Sequence, residues 1–216
     1  MKKITLSLLA LVLMTAACKK TDKAADEATA ASADTTSVKE EAAAPPMDSA
    51  AVAKAWEDYM TPGDVHKNLA MDNGTWTEET TMWMEPGGEP TKGTMTAESK
   101  MILGGRYQET VHKGSFMGMP FEGISTIGYD NASKKMVSSW VDNMGTGIMH
   151  MTADYDGTSK SMEFKGEVTD PITKKAKPSR EIFTLVDNDT RKMEMFDVTP
   201  DGKEFKTMEI IMRRKK

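Results

Sequence analysis

Methionine and histidine are the residue types whose spacing in this chain most readily suggests chemistry. The 216-residue sequence contains 20 Met, and several of them are grouped with a His in or near three adjacent predicted strands: Met117, Met119, Met144, Met149, His150 and Met151. Thioethers and an imidazole are ligands that Cu(I) uses in an oxidising compartment. Met also fills apolar cores, and Met162 and Met193 occupy sheet-core positions. We therefore predict core packing, with no metal and no cofactor, and keep copper binding as the alternative.

Residues suited to acid–base or nucleophilic catalysis show no arrangement typical of a known motif. His66, His112 and His150 fall on three different predicted elements, and the many carboxylates on strands are those expected on solvated faces. Ser115 has a Gly nearby on each side, but the spacing differs from that of a nucleophile elbow and no helix follows. The chain is therefore predicted not to be an enzyme. The enzymatic alternative would gain support if Arg106, His112 and a carboxylate met in one pocket.

The first 18 residues predict a bacterial lipoprotein. Lys2 and Lys3 precede an apolar run over residues 4–14, which is too short to span a bilayer as a helix and is typical of a signal peptide. Small residues then lead to Cys18, the only Cys of the chain, and resemble a bacterial lipobox, although Thr15 stands where Leu is usual. We expect cleavage after residue 17 and lipidation of Cys18, which would anchor the protein to a membrane. Ordinary cleavage that leaves a free thiol is the alternative.

Residues 18–49 are predicted to be a disordered tether between this anchor and the rest of the chain. They contain almost no large apolar side chain, so they cannot bury enough surface to fold. Lys19, rather than Asp, follows Cys18, which resembles lipoproteins of the outer membrane that face the periplasm; surface display is the alternative. The formal net charge of −5 argues against a nucleic-acid partner. The expected partners are the membrane, through the anchor, a small apolar ligand and a protein that the sequence does not identify.

Residues 50–216 are predicted to form one all-β domain, a ten-stranded antiparallel up-and-down barrel with short N-terminal helices. Helical spacing covers residues 50–60, Pro62 ends the run, and residues 64–71 can form a second helix. Runs rich in Thr, Val, Ile, Met and aromatic residues then alternate with turn signals. Closure is expected because it removes unpaired strand edges. The predicted strands are 75–84, 91–102, 106–113, 121–129, 135–142, 147–155, 160–168, 179–187, 191–198 and 204–213.

The interior of this barrel is predicted to bind a small apolar or amphipathic molecule, because barrels of this size can hold one ligand. Aromatic and Met side chains would form the lining, and Arg106 would orient a polar head group. An envelope structural module with a solid core, which acts through its outer surface on a protein partner, is the alternative. The predicted lining residues are Trp83, Arg106, Tyr129, Trp140, Met149 and Met151.

Gly74, Thr75 and Trp76 stand at the start of the first predicted strand. This pattern resembles the Gly-x-Trp of lipocalins. In lipocalins an Arg near the end of the last strand packs over the Trp. Arg213, or its neighbour Arg214, is expected to take this role here, with Gly74 and Trp76 as the other members of the structural signature.

A longer set of short motifs comprises PG at 62–63 with His66, GTW at 74–76, LGGRY at 103–107, PFEG at 120–123, GYDN at 128–131, WVDNMGT at 140–146 and PDGKEF at 200–205. This set resembles the domain-of-unknown-function 1579 family of bacterial proteins. This resemblance covers nearly the whole domain and implies a lipocalin-like fold. It implies no catalytic residues, because the family has no established activity.

Overall fold

The structure, a computed structural model, describes residues 48–199 and 201–216. The predicted signal peptide, the lipidation site Cys18 and the tether through residue 47 lie outside the described residues. Within the described residues the chain forms two helices followed by ten strands. Neither of these helices is long and apolar enough to cross a membrane.

Two short helices precede the barrel, within one residue of the predicted positions. Helix α1 comprises Ser49–Met60, and helix α2 comprises Asp64–Ala70. The Asp48 side chain accepts a hydrogen bond from Ala50 N at 3.3 Å, which satisfies one of the free N–H groups at the start of α1. Pro62 prevents α1 from continuing, because it disfavours a helical conformation of the residue before it.

The ten strands form one closed antiparallel sheet. Each strand pairs with its neighbours in the chain, and β10 pairs with β1 to complete the barrel. Closure removes the two free edge strands that an open sheet would have, although β6 and β7 pair over only three residues each. The predicted all-β fold class, a ten-stranded up-and-down barrel, is confirmed. The strands are β1 Gly74–Met82, β2 Thr91–Ile102, β3 Tyr107–Phe116, β4 Met119–Asp130, β5 Lys135–Asp142, β6 Met149–Asp154, β7 Ser161–Thr169, β8 Ala176–Leu185, β9 Thr190–Val198 and β10 Glu204–Arg214.

The β3–β4 hairpin is longer than the sequence predicts. The prediction ends β3 at residue 113 and begins β4 at residue 121, because the Gly and Pro residues between them are weak strand formers. In the structure the ladder continues to a pair between Phe116 and Met119. Only Met117 and Gly118 remain in the turn, with φ angles of 49° and 81°. Positive φ at both positions is what a two-residue type I′ turn requires.

Alternating side chains place an apolar face inside the barrel, as predicted. On β7, Met162 and Phe164 are buried, whereas Glu163 and Lys165 are exposed. Successive residues of a strand point to opposite faces of the sheet, so each strand contributes one inward row. The interior is therefore built from every second residue of ten strands.

Helix α2 closes the end of the barrel at which β1 begins. The Val65 and Leu69 side chains of α2 pack on a buried cluster contributed by the strands: Met136, Met151, Ala153, Met162 and Phe164. The Gln108 side chain donates a hydrogen bond to Leu69 O at 2.6 Å, which also ties the helix to β3. Space that remains inside the barrel must therefore open at the opposite end.

Candidate functional site

A cavity of about 650 Å³ extends through the barrel interior. It begins near Asp72 and Trp76, beside the α2 end, and reaches the opposite end of the barrel. There Met117 and Met144 line it and are 60% and 41% exposed. The volume lies within the range of about 300 to 1,000 Å³ that is usual for small-molecule sites. We call this opposite end the open rim.

The lining of the cavity combines polar and apolar groups on one side and is almost entirely apolar on the other. Strands β1 to β5 contribute hydroxyl, amide and imidazole groups, among them Thr80, Ser99, Gln108, Thr110, His112, Ser125 and Ser138. The same strands also contribute apolar side chains: Trp76, Met82, Met95, Phe116, Phe121, Ile127 and Trp140. Strands β6 to β10 contribute Met, Phe and Ile side chains: Met149, Phe164, Phe183, Met193, Met195, Met208, Ile210 and Met212. Glu181 is the exception on this second side. The cavity therefore suits an amphipathic molecule.

Of the residues predicted to line a ligand site, Trp140 and Met149 face this cavity. Trp140 lies on β5, and its indole N–H donates to Asp142 Oδ2 at 2.7 Å near the open rim. Met151 and Tyr129 instead belong to the packed cluster next to α2, where Met151 is only 2% exposed. Their prediction as lining residues is wrong because that part of the barrel interior is packed, apart from a small cavity of about 50 Å³ that neither residue lines.

The predictions for Trp83 and Arg106 are also wrong, because both residues lie just outside the strands. Strand β1 ends at Met82, which lines the cavity. Trp83 is directed to the other face, and its ring centroid lies 5.3 Å from Lys206 Nζ. Arg106 occupies an exposed turn before β3, at the α2 end, and donates to Met60 O at 2.7 Å. Arg106 therefore does not orient a group inside the cavity.

The Met and His residues considered as copper ligands do not converge. On β6, His150 is exposed, while its neighbours Met149 and Met151 point into the barrel. Met117 and Met119, at the tip of the β3–β4 hairpin, are 60% and 50% exposed. Across residues 48–199 and 201–216, no group of three or more His, Cys, Asp or Glu side chains is arranged for a metal ion.

Glu78 and His112 form a buried pair beside the cavity; the sequence indicates His112 and a carboxylate as a possible combination but does not identify Glu78 as the partner. His112 Nδ1 lies 3.0 Å from Glu78 Oε1 and 3.2 Å from Oε2, and the residues are 4% and 0% exposed. They come from β3 and β1, which flank β2. Ala97 of β2 is in register with His112, and its side chain is too small to separate the pair. The His112 ring also packs 5.1 Å from that of Trp140.

The Glu78–His112 pair continues to a hydroxyl, in an order that resembles a catalytic triad. His112 Nε2 lies 3.4 Å from Ser125 Oγ, which is long for a hydrogen bond. Ser125 is in the middle of β4 and pairs with Thr110 on β3 and Trp140 on β5. The sheet ladder therefore uses the backbone N–H groups that an oxyanion hole would need. This arrangement suits hydrogen bonding to a ligand rather than acyl transfer.

Glu181 is an ionisable residue on the apolar side of the cavity. It is in register with Phe164 on β7 and Met195 on β9. Burial among these groups raises the pKa of the Glu181 carboxyl from 4.5 to about 7. Desolvation is the cause of the shift, and within the described part of the chain no hydrogen bond or charge partner contributes to it.

The Glu181 carboxyl predicts that stability depends on pH. In the unfolded chain the group ionises near pH 4.5 and in the folded protein near pH 7, so its stabilising effect is complete below pH 4.5 and is lost as the pH rises to 7. The shift corresponds to about 3 kcal/mol. Between pH 4.5 and pH 8, urea unfolding should show a loss of stability in the wild type that exceeds the loss in Glu181→Gln by about this amount. Equal losses in the two proteins would contradict the burial of this carboxyl.

Trp76 and two Arg side chains form the floor of the cavity. The Arg214 and Arg191 guanidinium groups lie over the Trp76 ring, 4.2 and 5.3 Å from its centroid. Arg191 Nε also donates to Asp72 Oδ1 at 3.0 Å. Of the two Arg residues predicted for this place, Arg214 lies over Trp76 and Arg213 does not. Trp76 is in register with Arg214, so Arg213 alternates to the outer face.

Gly74 and Arg214 act together where the first and last strands meet. Gly74 begins β1 with a φ of 125°, a conformation that favours Gly. A Cβ at this position would lie 3.3 Å from Arg214 Nη1. The Arg214 guanidinium passes Gly74 and donates hydrogen bonds to Asn73 O and Met71 O, both at 2.7 Å. These contacts join β10 to the segment that precedes β1.

The fold and the cavity together define a class of small, closed, antiparallel β-barrel proteins with a two-sided interior. Residues 61–214 match the model of the family described as "Protein of unknown function (DUF1579)". The chain belongs to this family. No match is found among curated proteins.

Two solved structures are similar to this chain. The crystal structure of Rv2717c from M. tuberculosis is 10% identical with a TM-score of 0.55, and the similarity covers 72% of this chain and 100% of that chain. A redesigned β-barrel is 13% identical with a TM-score of 0.39, over 68% of this chain and 95% of that chain. The likeness to Rv2717c, at this low identity, shows the barrel fold alone.

Proposed function

We propose that the protein binds one small amphipathic molecule inside the barrel, and that a lipid on Cys18 anchors it to the outer membrane with the barrel facing the periplasm. The observation that carries the binding role is the cavity of about 650 Å³ with its polar and apolar sides. The anchor rests on the signal-peptide and lipobox-like pattern of residues 1–18.

The polar side of the cavity supports recognition of a polar group on the ligand. In the tautomer in which His112 Nδ1 donates to the Glu78 carboxylate, the Nε2 lone pair is directed at Ser125 and the cavity. A hydroxyl or amide of a ligand can therefore donate to Nε2. Ser99 and Thr110 add a second hydroxyl pair, with 2.8 Å between the oxygens, to the same side.

Binding also agrees better with the structure than the two alternatives do. An envelope module that acts only through its outer surface would have a solid core, whereas the solid cluster next to α2 fills only part of the interior. The enzymatic alternative would gain if Arg106, His112 and a carboxylate met in one pocket, and Arg106 lies exposed at the α2 end. The geometry therefore supports ligand binding best.

The test of this function is to fill the cavity and to measure whether the ligand is lost. Met193 faces the cavity, and its neighbour Lys192 alternates to the outer face of β9, where it pairs with Glu194. In protein isolated from its own host's envelope, we expect native mass spectrometry to detect a bound small molecule in the wild type and in Lys192→Trp. We expect none in Met193→Trp. An empty wild type, or a ligand retained by Met193→Trp, would contradict the proposal.

A further inference from the structure

The ionisable groups that face the cavity differ in whether they already have a partner. They are Asp72, Lys92, His112, Asp142 and Glu181. Asp72 accepts hydrogen bonds from the Arg191 guanidinium, and His112 is bonded to Glu78. The carboxylates near the floor and on the polar side, Asp72 and Glu78, therefore each have a donor within the protein.

The groups at the open rim are engaged with the protein or with solvent. Asp142 accepts hydrogen bonds from the Trp140 indole at 2.7 Å and from Met144 N at 2.9 Å. Lys92 is exposed on β2, and strands β1, β10 and β9 separate it from β8. Glu181 on β8 is thus the remaining cavity-facing ion, and among the described residues nothing pairs with it.

The strands on either side of Glu181 present apolar side chains to it. Phe164 of β7 and Met195 of β9 are in register with Glu181 and line the cavity. The nearby charged residues of β7, β8 and β9 alternate to the outer face: Glu163, Lys165, Arg180, Lys192 and Glu194. An ionised carboxylate in these surroundings has lost its solvation, and a partner of opposite charge stabilises it.

The other charges on the inward rows of β8 and β9 are already neutralised. Towards the open rim, Lys177 and Asp197 share the inward row with Glu181 and form an ion pair of 2.5 Å. At the floor, Arg191 is bound to Asp72. The described chain therefore supplies no cation for Glu181, and a ligand can supply one.

We propose that the ligand is a cationic amphiphile, an organic ammonium with an apolar tail, and that its positive group binds to Glu181. This inference rests on the proposed binding function and names its ligand class. Phe164 and Phe183 place aromatic rings on the same side of the cavity, and aromatic rings attract cations. The Met side chains of β9 and β10 can adapt to the tail. A carboxylate, rather than the predicted cation Arg106, thus holds the head group.

Because the cation binds to an ionised Glu181, the affinity for the ligand must rise with pH. Because burial raises the pKa of this carboxyl to about 7, it is protonated in the empty protein at pH 5 and must release a proton when the cation binds. The affinity for the cation is expected to rise about tenfold for each pH unit up to about 7 and to level off above it. A ligand without charge would show no such rise.

The experiment compares three molecules that share a 12-carbon tail and differ in the head group: dodecylamine, dodecanol and dodecanoate. Each displaces the neutral fluorescent probe N-phenyl-1-naphthylamine from the full-length protein, below its micelle concentration and at pH 5 to 8. At pH 8 we expect the amine to bind at least about tenfold more tightly than the alcohol, and the carboxylate least tightly. Glu181→Gln should bind amine and alcohol equally. Glu163→Gln, on the outer face of β7, should behave as the wild type.

The outcomes separate this inference from the function on which it rests. If all three molecules displace the probe with equal affinity, or if Glu181→Gln keeps the preference for the amine, the cationic ligand class is wrong and the binding function stands. If neither the probe nor any of the three molecules binds, the binding function itself is wrong. The comparison of head groups on the wild type decides the question even where the variant does not fold.

Discussion

Replacing His112 by Phe is expected to lower the free energy of unfolding by about 3 to 5 kcal/mol. The substitution keeps a ring in the interior but removes the partner of Glu78, whose side chain is 0% exposed. Glu78 must then remain as a buried carboxylate without a donor or become protonated, and both outcomes reduce stability. Urea unfolding followed by circular dichroism at pH 8 measures the loss.

A double-mutant cycle shows whether the loss of stability in His112→Phe comes from the broken contact between His112 and Glu78. Glu78→Leu combined with His112→Phe is expected to regain most of the stability, because apolar residues of similar volume can replace a buried hydrogen-bonded pair at little net cost. The matched control is Lys113→Ala, beside His112 on the outer face. Lys113 pairs with Glu122 at 3.3 Å, and the side chains are 62% and 53% exposed, so its loss should stay below about 1 kcal/mol. A double variant as unstable as His112→Phe would refute the role of the pair.

Strand number and barrel closure could be predicted because local signals encode them. Asp156 and Gly157 mark the turn before β7, where the Asp156 carboxylate accepts a hydrogen bond from Thr158 N at 2.8 Å. The alternation of Met162 with Glu163 identifies the inward row of the same strand. Both signals depend on residues a few positions apart, so they can be recognised without knowledge of which strands pair.

The site residues that the sequence predicts wrongly either lie one position away from an inward-facing residue or lie in the packed part of the barrel. Trp83 follows the last residue of β1, and Arg213 precedes the residue that is in register with Trp76. A shift of one residue moves a side chain to the other face of a sheet. Met151 is on the correct face, but it lies where α2 and its neighbours fill the interior. The sequence shows neither the exact register nor how far the solid core extends.

The Glu78–His112 pair and the inward-facing Glu181 carboxyl depend on contacts that the local sequence does not encode. Glu78 and His112 are 34 residues apart, and they meet because Ala97 on the strand between them is small. Around Glu181 the local pattern is ambiguous, since Arg180 and Ile182 lie on one face and Glu181 and Phe183 on the other. Each face thus has one charged and one apolar residue, and only the closed barrel shows that the carboxyl points inward.

Replacing Trp76 by Ala is expected to lower the free energy of unfolding by about 3 to 5 kcal/mol. Trp76 is 1% exposed and belongs to a core cluster that also contains Ala97, Ile210 and Met212. The surrounding strands are fixed by the closed ladder, so they cannot collapse into the space that the ring leaves. The matched control is Trp56→Ala on α1, since Trp56 is 58% exposed and its loss should stay within about 0.5 kcal/mol.

The loss at Trp76 should exceed that of apolar area alone, because the indole also organises the floor of the cavity. The indole N–H donates to Asp72 O at 2.9 Å. The Arg191 side chain is 2% exposed; its guanidinium lies over the Trp76 ring and binds the Asp72 carboxylate. Trp76→Phe keeps a ring and loses the N–H, so an intermediate loss of about 1 to 2 kcal/mol is expected. If urea unfolding finds Trp76→Ala as stable as Trp56→Ala, the strands do collapse around the site and the floor does not depend on the indole.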